Sequence, residues 1–317
     1  MKITDQINNS KETILSLEIL PPLKGQGINR LYEELDPIME LKPSFVDVTY
    51  HRQEYVLKSR PDGGFDRVAT RKRPGTVGIC AAIKNKYDVE PVPHIICGGF
   101  TREETENALI DLNFLGIENV LAIRGDAMHS EKTFSAEPDG NNYAIDLVNQ
   151  ICGMNRGAYL DDDLQNAFPT NFCVGVAGYP EKHFESPNMK SDIHFLKKKI
   201  KTGAEYIVTQ MFFDNQKYYE FVDLCRENDI NVPIIPGLKP ITSMKQLSSI
   251  PTMFHVNMPE DLVDAVVAAE SKEAIKKVGI EWCIAQAQDL VANKVPVVHF
   301  YSMSKSRPVL EIMREVF

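Results

Sequence analysis

Residues 101–126 read TREETENALIDLNFLGIENVLAIRGD, and this stretch holds one complete helix–strand unit. Thr101 and Glu104 have the spacing of a capping box, in which side chain and backbone satisfy each other's open donors at a helix start. Leu109, Leu112 and Leu115 then recur on one helical face, and Gly116 stands where a left-handed residue would end the helix. Asn119 to Ile123 follow as an apolar run without alternation, the pattern of a parallel strand buried on both faces, and the run stops at the polar triplet Arg124-Gly125-Asp126. Working outward, similar runs lie at 14–19, 45–49, 94–97, 173–177, 206–211, 233–237 and 295–301, which makes eight strands in all. Helical stripes lie between them, such as Met189, Ile193, Leu196 and Ile200 closed by Gly203, and Tyr218, Phe221, Leu224 and Cys225. The run VGICAAI at 77–83 reads as part of the second crossover. Eight strands alternating with helices predict an α/β fold, a (β/α)8 TIM barrel, as a single domain over residues 1–317, with an open doubly wound sheet as the alternative.

Composition agrees with one large folded unit. A chain of 317 residues exceeds a typical domain, but one α/β barrel takes roughly 250. With 43% hydrophobic and 25% charged residues, wholesale disorder and fibrous repeats are excluded. The net charge of -9 argues against a protein built to coat nucleic acid or an anionic membrane. The six cysteines form no C-x-x-C pair, so neither a zinc motif nor a disulfide scaffold is indicated, and reduced thiols in the cytoplasm are expected. No apolar run approaches the roughly 18 residues that span a bilayer. Two long connections follow strand ends: 51–75, with seven Lys/Arg against three Asp/Glu and read as a basic loop, and 128–142, rich in Ser, Glu, Pro, Asp and Gly. Barrel enzymes build their sites on that face.

Motifs for common cofactors are missing. Gly25-Gln26-Gly27 lacks the third glycine and the strand of a dinucleotide fingerprint. No Walker A or H-E-x-x-H sequence occurs, and His183-Phe184-Glu185 has no P-C-x-x-C after it, so metal catalysis has no support. What remains is a set of polar residues at strand ends. Glu18 interrupts the apolar LSLEI; burial would raise its pKa and suit it to general acid work, or it pairs with a cation across the barrel. Asp126 ends VLAIRGD either as a functional carboxylate or as a turn residue. Thr49-Tyr50-His51, His94, the segment Tyr179 to His183, and Gln210 fall at the same rim. Lys197, Lys198, Lys199 and Lys201 are either cations favoured at a helix C-terminus or binders of phosphate.

The segments LSLEILPP, FVDVTYH, VPHIIC, GIENVLAIRGD, NYAIDLV, VAGYPEKH, GAEYIVTQMFFD, IPGLKPI and HFYSM resemble, in this order, those of the methylenetetrahydrofolate reductase family, from about residue 12 onward. The likeness is to the bacterial catalytic-barrel form, with no regulatory domain. It implies a barrel that binds FAD without a Rossmann motif. NADH or NADPH would reduce the flavin and leave, and 5,10-methylenetetrahydrofolate would then be reduced to 5-methyltetrahydrofolate in one-carbon and methionine metabolism. By the same resemblance Glu18 is the general acid, Asp126 holds the pterin and lies near the flavin, and Gln210 contacts folate. Thr49, His94, Arg124, Gly125, Asp126, Tyr143, Ala144, Tyr179, His183, Asp192, Lys198 and Lys199 would contact FAD, with the lysines on its pyrophosphate.

Some positions depart from the family pattern. Phe195 stands where relatives often have Asn, Lys198 and Lys305 where they often have Arg, and Met244 at a place commonly Phe. Met244 and Lys305 would touch folate. The expected partners are the folate and nicotinamide substrates and other copies of the chain in a homo-oligomer, with no nucleic acid and no membrane. A flavin-free pterin-binding or aldolase-type barrel is the competing reading, but no strand end supplies a convincing Schiff-base lysine or metal ligand set.

Overall fold

The computed structural model describes residues 1–128, 131–302 and 306–317. Its strands in chain order are β1 (Ile14–Ile19), β2 (Phe45–Val48), β3 (Glu54–Ser59), β4 (Phe65–Thr70), β5 (Glu90–Ile96), β6 (Asn119–Ile123), β7 (Cys173–Gly178), β8 (Tyr206–Thr209), β9 (Ile234–Ile235), β10 (Gly237–Leu238) and β11 (Val297–Tyr301). Nine of them form one parallel sheet in the order β10-β11-β1-β2-β5-β6-β7-β8-β9. β9 and β10 are one path parted at Pro236, which has no N–H to give a ladder. The Pro236 carbonyl accepts instead from His299 N at 3.0 Å, and Gly237 N donates to Thr209 Oγ1 at 3.0 Å. β9 pairs with β8 and β10 with β11, so the sheet is drawn round into a nearly closed eight-stave barrel. The barrel reading of the sequence holds, and all eight runs are strands.

Two expectations need correction. The basic segment read as a loop contains an antiparallel hairpin, β3 with β4, whose side chains are largely exposed. And β5 starts at Glu90, before the expected His94. Pro91 and Pro93 sit in it beside β2, and prolines two residues apart share one edge, so the missing donors fall along a single side of the strand. The run at 77–83 lies in the helix Thr76–Tyr87 of the second crossover, as read. The helix Arg102–Phe114 has its capping box, with Glu104 N donating to Thr101 Oγ1 at 3.1 Å and Thr101 N to Glu104 Oε2 at 2.8 Å.

Alternation decides what the barrel holds. On β1, Leu15, Leu17 and Ile19 join the core between sheet and helices, while Ser16 and Glu18 face the axis. The lower interior is filled by Phe45, Val92, Leu121, Cys173, Tyr206, Ile235 and Val297, with Ile3 closing it from the helix Ile3–Asn9. That helix is held by Ile3 N donating to Asn119 Oδ1 at 2.8 Å. The upper interior is polar. One helix approaches the sheet's loops unusually closely: a Cβ at Gly279, in the helix Lys272–Ala292, would stand 1.8 Å from the Ile241 carbonyl oxygen. All six cysteines are buried and free. Among the described residues no His, Cys, Asp or Glu group is arranged to hold a metal, and no helix is long and apolar enough to cross a membrane.

Candidate active site

Glu18, Asp47 and His94 come from β1, β2 and β5 and meet inside the barrel near its C-terminal end. His94 Nε2 lies 3.6 Å from Glu18 Oε2 and 3.5 Å from Asp47 Oδ1. Asp47 Oδ2 lies 3.9 Å from His299 Nδ1, which shares a hydrogen bond of 2.9 Å with Ser16 Oγ. Burial lifts the Glu18 carboxyl to about 7, with His94 opposing, Asp47 adding and buried Lys239 opposing. Burial depresses His94, but the Asp47 and Glu18 carboxylates outweigh it and hold the imidazole above its ordinary value. His299, deeper, is pulled down to about 4 by burial and serves as a neutral ring. The backbone is fixed where the acid needs it: the Glu18 carbonyl accepts from Ser302 N at 3.2 Å and Ser302 Oγ at 2.7 Å.

Several polar atoms here make no hydrogen bond, although ion-pair contacts reach Asp47 and His94. Both Asp47 carboxylate oxygens, Thr49 Oγ1 and His94 Nε2 are buried without a hydrogen bond. Buried polar atoms are rarely left so in a folded protein unless another molecule completes them. A cavity of about 190 Å³, lined by Tyr50, Arg71, Thr76, His94, Phe100 and Thr105 among others, opens beside them.

The rest of the rim is assembled from strand ends. Gly125 has φ +83°, which L side chains rarely adopt, and it lies against Ile96, so β6 can turn there without a side chain between backbone and the space above. Asp126 beside it is exposed and close enough to His51 and Tyr179 to act on both electrostatically. Tyr179 packs edge-on to His183 at 4.8 Å, His183 against Phe184 at 4.8 Å, and Phe184 on His255 at 4.5 Å. Burial lowers His183 and raises Tyr179, so both are uncharged near neutrality. Gln210 follows β8, tied by its N–H to Gly178 O at 2.8 Å.

Other expected residues are placed differently from one another. Lys199 turns inward: its amine donates to Ala177 O at 3.0 Å, at the end of β7, and burial pulls it down to about 8 against the pull of Asp192. Lys198 points outward over the Phe195 ring at 5.5 Å. Asp192 anchors the preceding turn, accepting from His183 N at 3.0 Å and Ser186 Oγ at 2.8 Å. Arg124 is paired two-pronged with Glu185 at 2.6 and 2.9 Å, and its guanidinium lies 4.9 Å from the Phe134 ring, which Arg52 faces at 5.8 Å. Tyr143 and Ala144 open the helix Ala144–Met154, Tyr143 exposed. Met244 is exposed in the connection after β10, and Lys305 lies outside the described residues.

Asp47, His299, Lys239 and Phe134 were not singled out from the sequence, and Glu185 was weighed there only as part of an H-x-E motif without its zinc partners. Asp47 carries the same signal as Glu18, a carboxylate inside an apolar run. The contacts of Phe134 and Glu185 depend on the paths of two long connections, which local pattern does not reveal.

Comparison with known proteins adds independent findings. The sequence model of the family described as Methylenetetrahydrofolate reductase matches residues 2–316. The chain is 30% identical to Methylenetetrahydrofolate reductase (NADH) 1 of Arabidopsis thaliana, covering 99% of this chain and 50% of the other. It is 29% identical to 5,10-methylenetetrahydrofolate reductase of Pectobacterium carotovorum subsp. carotovorum, covering 92% and 86%. It thus spans about half the length of the plant and yeast relatives it matches and most of the bacterial one. Among solved structures, a Clostridium thermocellum protein described as binding two copies of 5-methyl-5,6,7,8-tetrahydrofolic acid aligns with TM-score 0.58 at 14% identity, over 99% of both chains. An oxaloacetate acetylhydrolase aligns with TM-score 0.52 at 11% identity, over 99% of this chain and 84% of its own. At these identities the two show a shared fold.

Proposed function

The chain belongs to the methylenetetrahydrofolate reductase family, and on that premise we propose that it reduces 5,10-methylenetetrahydrofolate to 5-methyltetrahydrofolate with NADH or NADPH and bound FAD. The observation that carries this reading is Glu18, a carboxyl at the barrel's C-terminal mouth held near 7 by burial. It can keep a proton at neutral pH and still release it, as a general acid must. The residues present fit FAD. Thr49 Oγ1 is a buried hydroxyl with no hydrogen bond within the protein, Gly125 leaves the backbone bare at the rim, and Lys199 brings a buried amine to the end of β7. When bound, FAD would supply the redox chemistry, taking a hydride from the nicotinamide and giving one to the folate in alternating visits to one pocket.

The chain's own residues do the rest. Glu18 protonates the departing nitrogen of folate's imidazolidine ring, which opens the ring to a cation able to accept hydride. His94 and Lys239 favour the carboxylate left behind, and Asp47 favours return of the proton, so the acid is reset within one turnover. Asp126 holds the pterin by its hydrogen-bond donors, with Gln210 from β8 beside it. Met244 offers a flexible contact to the aminobenzoate, and Lys305 belongs to the same proposed contact set. We place the protein in the cytoplasm, as a homo-oligomer, serving one-carbon and methionine metabolism.

The direct test is colour. Purified protein should be yellow, bleach anaerobically with NADH or NADPH, and regain colour with methylenetetrahydrofolate. A colourless preparation that stays inactive with added FAD would sink the reading. Asp126→Asn should weaken folate binding roughly tenfold or more, the usual scale for a hydrogen bond to a charged group, while nicotinamide binding moves little. Unchanged folate affinity would leave Asp126 a turn residue.

A further inference from the structure

Opening folate's imidazolidine ring breaks a C–N bond and forms an N–H bond, and hydride then fills the carbon, so each turnover consumes one proton. Glu18 gives that proton up from a buried position, 8% exposed, and bound folate covers what exposure is left. The acid must be recharged from a side that the substrate leaves open.

The register of the sheet builds such a side. Glu18 on β1 is the pairing partner of Asp47 on β2, so two carboxylates stand side by side facing the axis. Asp47 pairs in turn with Val92 on β5, and His94, two residues further on, shares the inward face of Val92. Its Nε2 addresses both carboxylates, at 3.5 Å from Asp47 Oδ1 and 3.6 Å from Glu18 Oε2. These separations exceed hydrogen-bond length, as such contacts often do before substrate draws a site together. Asp47 is 1% exposed, and its contact on the other side, His299 at 3.9 Å, is the neutral ring that shares a hydrogen bond with Ser16. His51 at the rim also acts on His94 electrostatically, and Lys239 acts on Glu18. The cavity of about 190 Å³ is lined by His94 but by neither carboxylate, with Arg71, bonded to Tyr50, in its wall. At roughly 30 Å³ for a water, it has room for several. His94 thus stands between solvent on one side and Glu18 on the other.

We propose that His94 carries the proton that recharges Glu18, and that Asp47 is the positioning residue that keeps this proton on His94. In the step, the N–H bond at His94 Nε2 breaks as an O–H bond forms on Glu18 Oε2, leaving a neutral imidazole and a neutral carboxyl. An acid of the solvent, through the waters of the cavity, then returns a proton to the imidazole. Asp47 remains a carboxylate throughout. The electrostatics agree with the geometry: burial depresses His94, and Asp47 with Glu18 more than restores it, so the ring and the Glu18 carboxyl both hold protons near neutrality. Transfer between groups so matched runs without a large uphill step. The inference rests on the function proposed above and goes further, naming the route by which the acid is reset.

The test uses Asp47→Asn on the flavin-loaded protein, with Asp47→Glu as the charge-keeping control. NMR of ring-labelled histidine, assigned with His94→Gln, reads the charge on His94. In the parent the ring should be charged at pH 6.5, and in Asp47→Asn it should lose its proton at lower pH, because the carboxylate that offsets burial is gone. Single-turnover reoxidation by methylenetetrahydrofolate at pH 6, where Glu18 already carries its proton, should stay near the parent rate. Steady-state turnover at pH 8 should fall by about tenfold or more, the lower part of the range for a placed proton donor, and recover as imidazole buffer is raised. Turnover of the parent and of Asp47→Glu should not respond to buffer concentration. A purely structural role would slow both measurements at every pH and leave imidazole without effect. Should Asp47→Asn not fold, Asp47→Ser gives the same readings, and the parent's own His94 titration stands without either. A His94 ring that is neutral at pH 6.5 in the parent, a titration that Asp47→Asn leaves unmoved, or a loss of turnover that imidazole does not restore would overturn the proposal. A parent that reduces no methylenetetrahydrofolate would overturn the function instead, and the NMR titration then decides the coupling of Asp47 to His94 by itself.

Discussion

Glu18→Gln is expected to slow reoxidation of the reduced protein by methylenetetrahydrofolate about 10²–10⁴-fold, the usual range for a positioned acid, while bleaching by NADH stays near the parent rate. Glutamine keeps the shape and loses the proton, so the half-reactions separate in a stopped-flow measurement. Equal slowing of both would make Glu18 structural. The pH dependence follows from the same group. The acid form is the active one, so the folate half-reaction should be flat below about 7 and fall tenfold per pH unit above it, and bleaching by NADH should lack that limb. Stability carries a matching signature. A carboxyl raised from 4.5 to about 7 on folding contributes stability fully present below 4.5 and lost as pH rises through 7. Glu18→Gln should therefore match the parent at pH 4.5 and exceed it at pH 8 by roughly 3 kcal/mol, the equivalent of that shift. A denaturant titration at the two pH values reads it.

Gly279→Ala should produce the largest loss of stability from a single methyl group. The added carbon would meet Ile241 oxygen at 1.8 Å, its carbonyl carbon at 2.6 Å and its nitrogen at 2.9 Å, all backbone with no rotamer to retreat to. The helix Lys272–Ala292 or the connection after β10 must move. Overpacking of this kind costs about 1–3 kcal/mol and occasionally more, and here the upper end is expected, a fall in Tm on the order of 4–5 °C for a chain of this length. Because Ile241 precedes Thr242 and Met244, the folate KM should rise as well. A variant melting within a degree of the parent would mean that the two segments are not in close contact.

What was legible in the sequence was what burial writes into it. Strands β6 and β8 carry apolar residues on both faces because helices cover one side and packed side chains the other, so their runs stand out. The hairpin β3–β4 has no buried face; Tyr55, Leu57 and Phe65 are exposed among charges, so it left no pattern to read. Pro91 and Pro93 hid the start of β5, since a proline ordinarily argues against an inner strand. Glu18 was visible as a charge out of place, and Asp47, equally out of place in FVDV, carried the same message. Arg124 was legible as a rim cation, but its pairing with Glu185, 61 residues away, was not. Partners that distant are set by how connections cross the rim.

The closure of the barrel has a consequence for how the chain comes to exist. Ser16 on β1 bonds His299 on β11, residues separated by 283 positions, and β1 pairs along its length with β11. At a synthesis rate of about 5–20 residues per second, β1 waits on the order of tens of seconds for that neighbour to be made. Through that interval one edge of the growing sheet is bare, and the polar cluster above it has only part of its walls. Contacts so distant in sequence form slowly, and an unpaired parallel edge is open to other chains. Glu18 gains the Ser302 contacts to its carbonyl only when the last strand docks, so the polar cluster is completed in one late step, and a nascent or truncated chain lacking β11 would offer a bare edge to its neighbours.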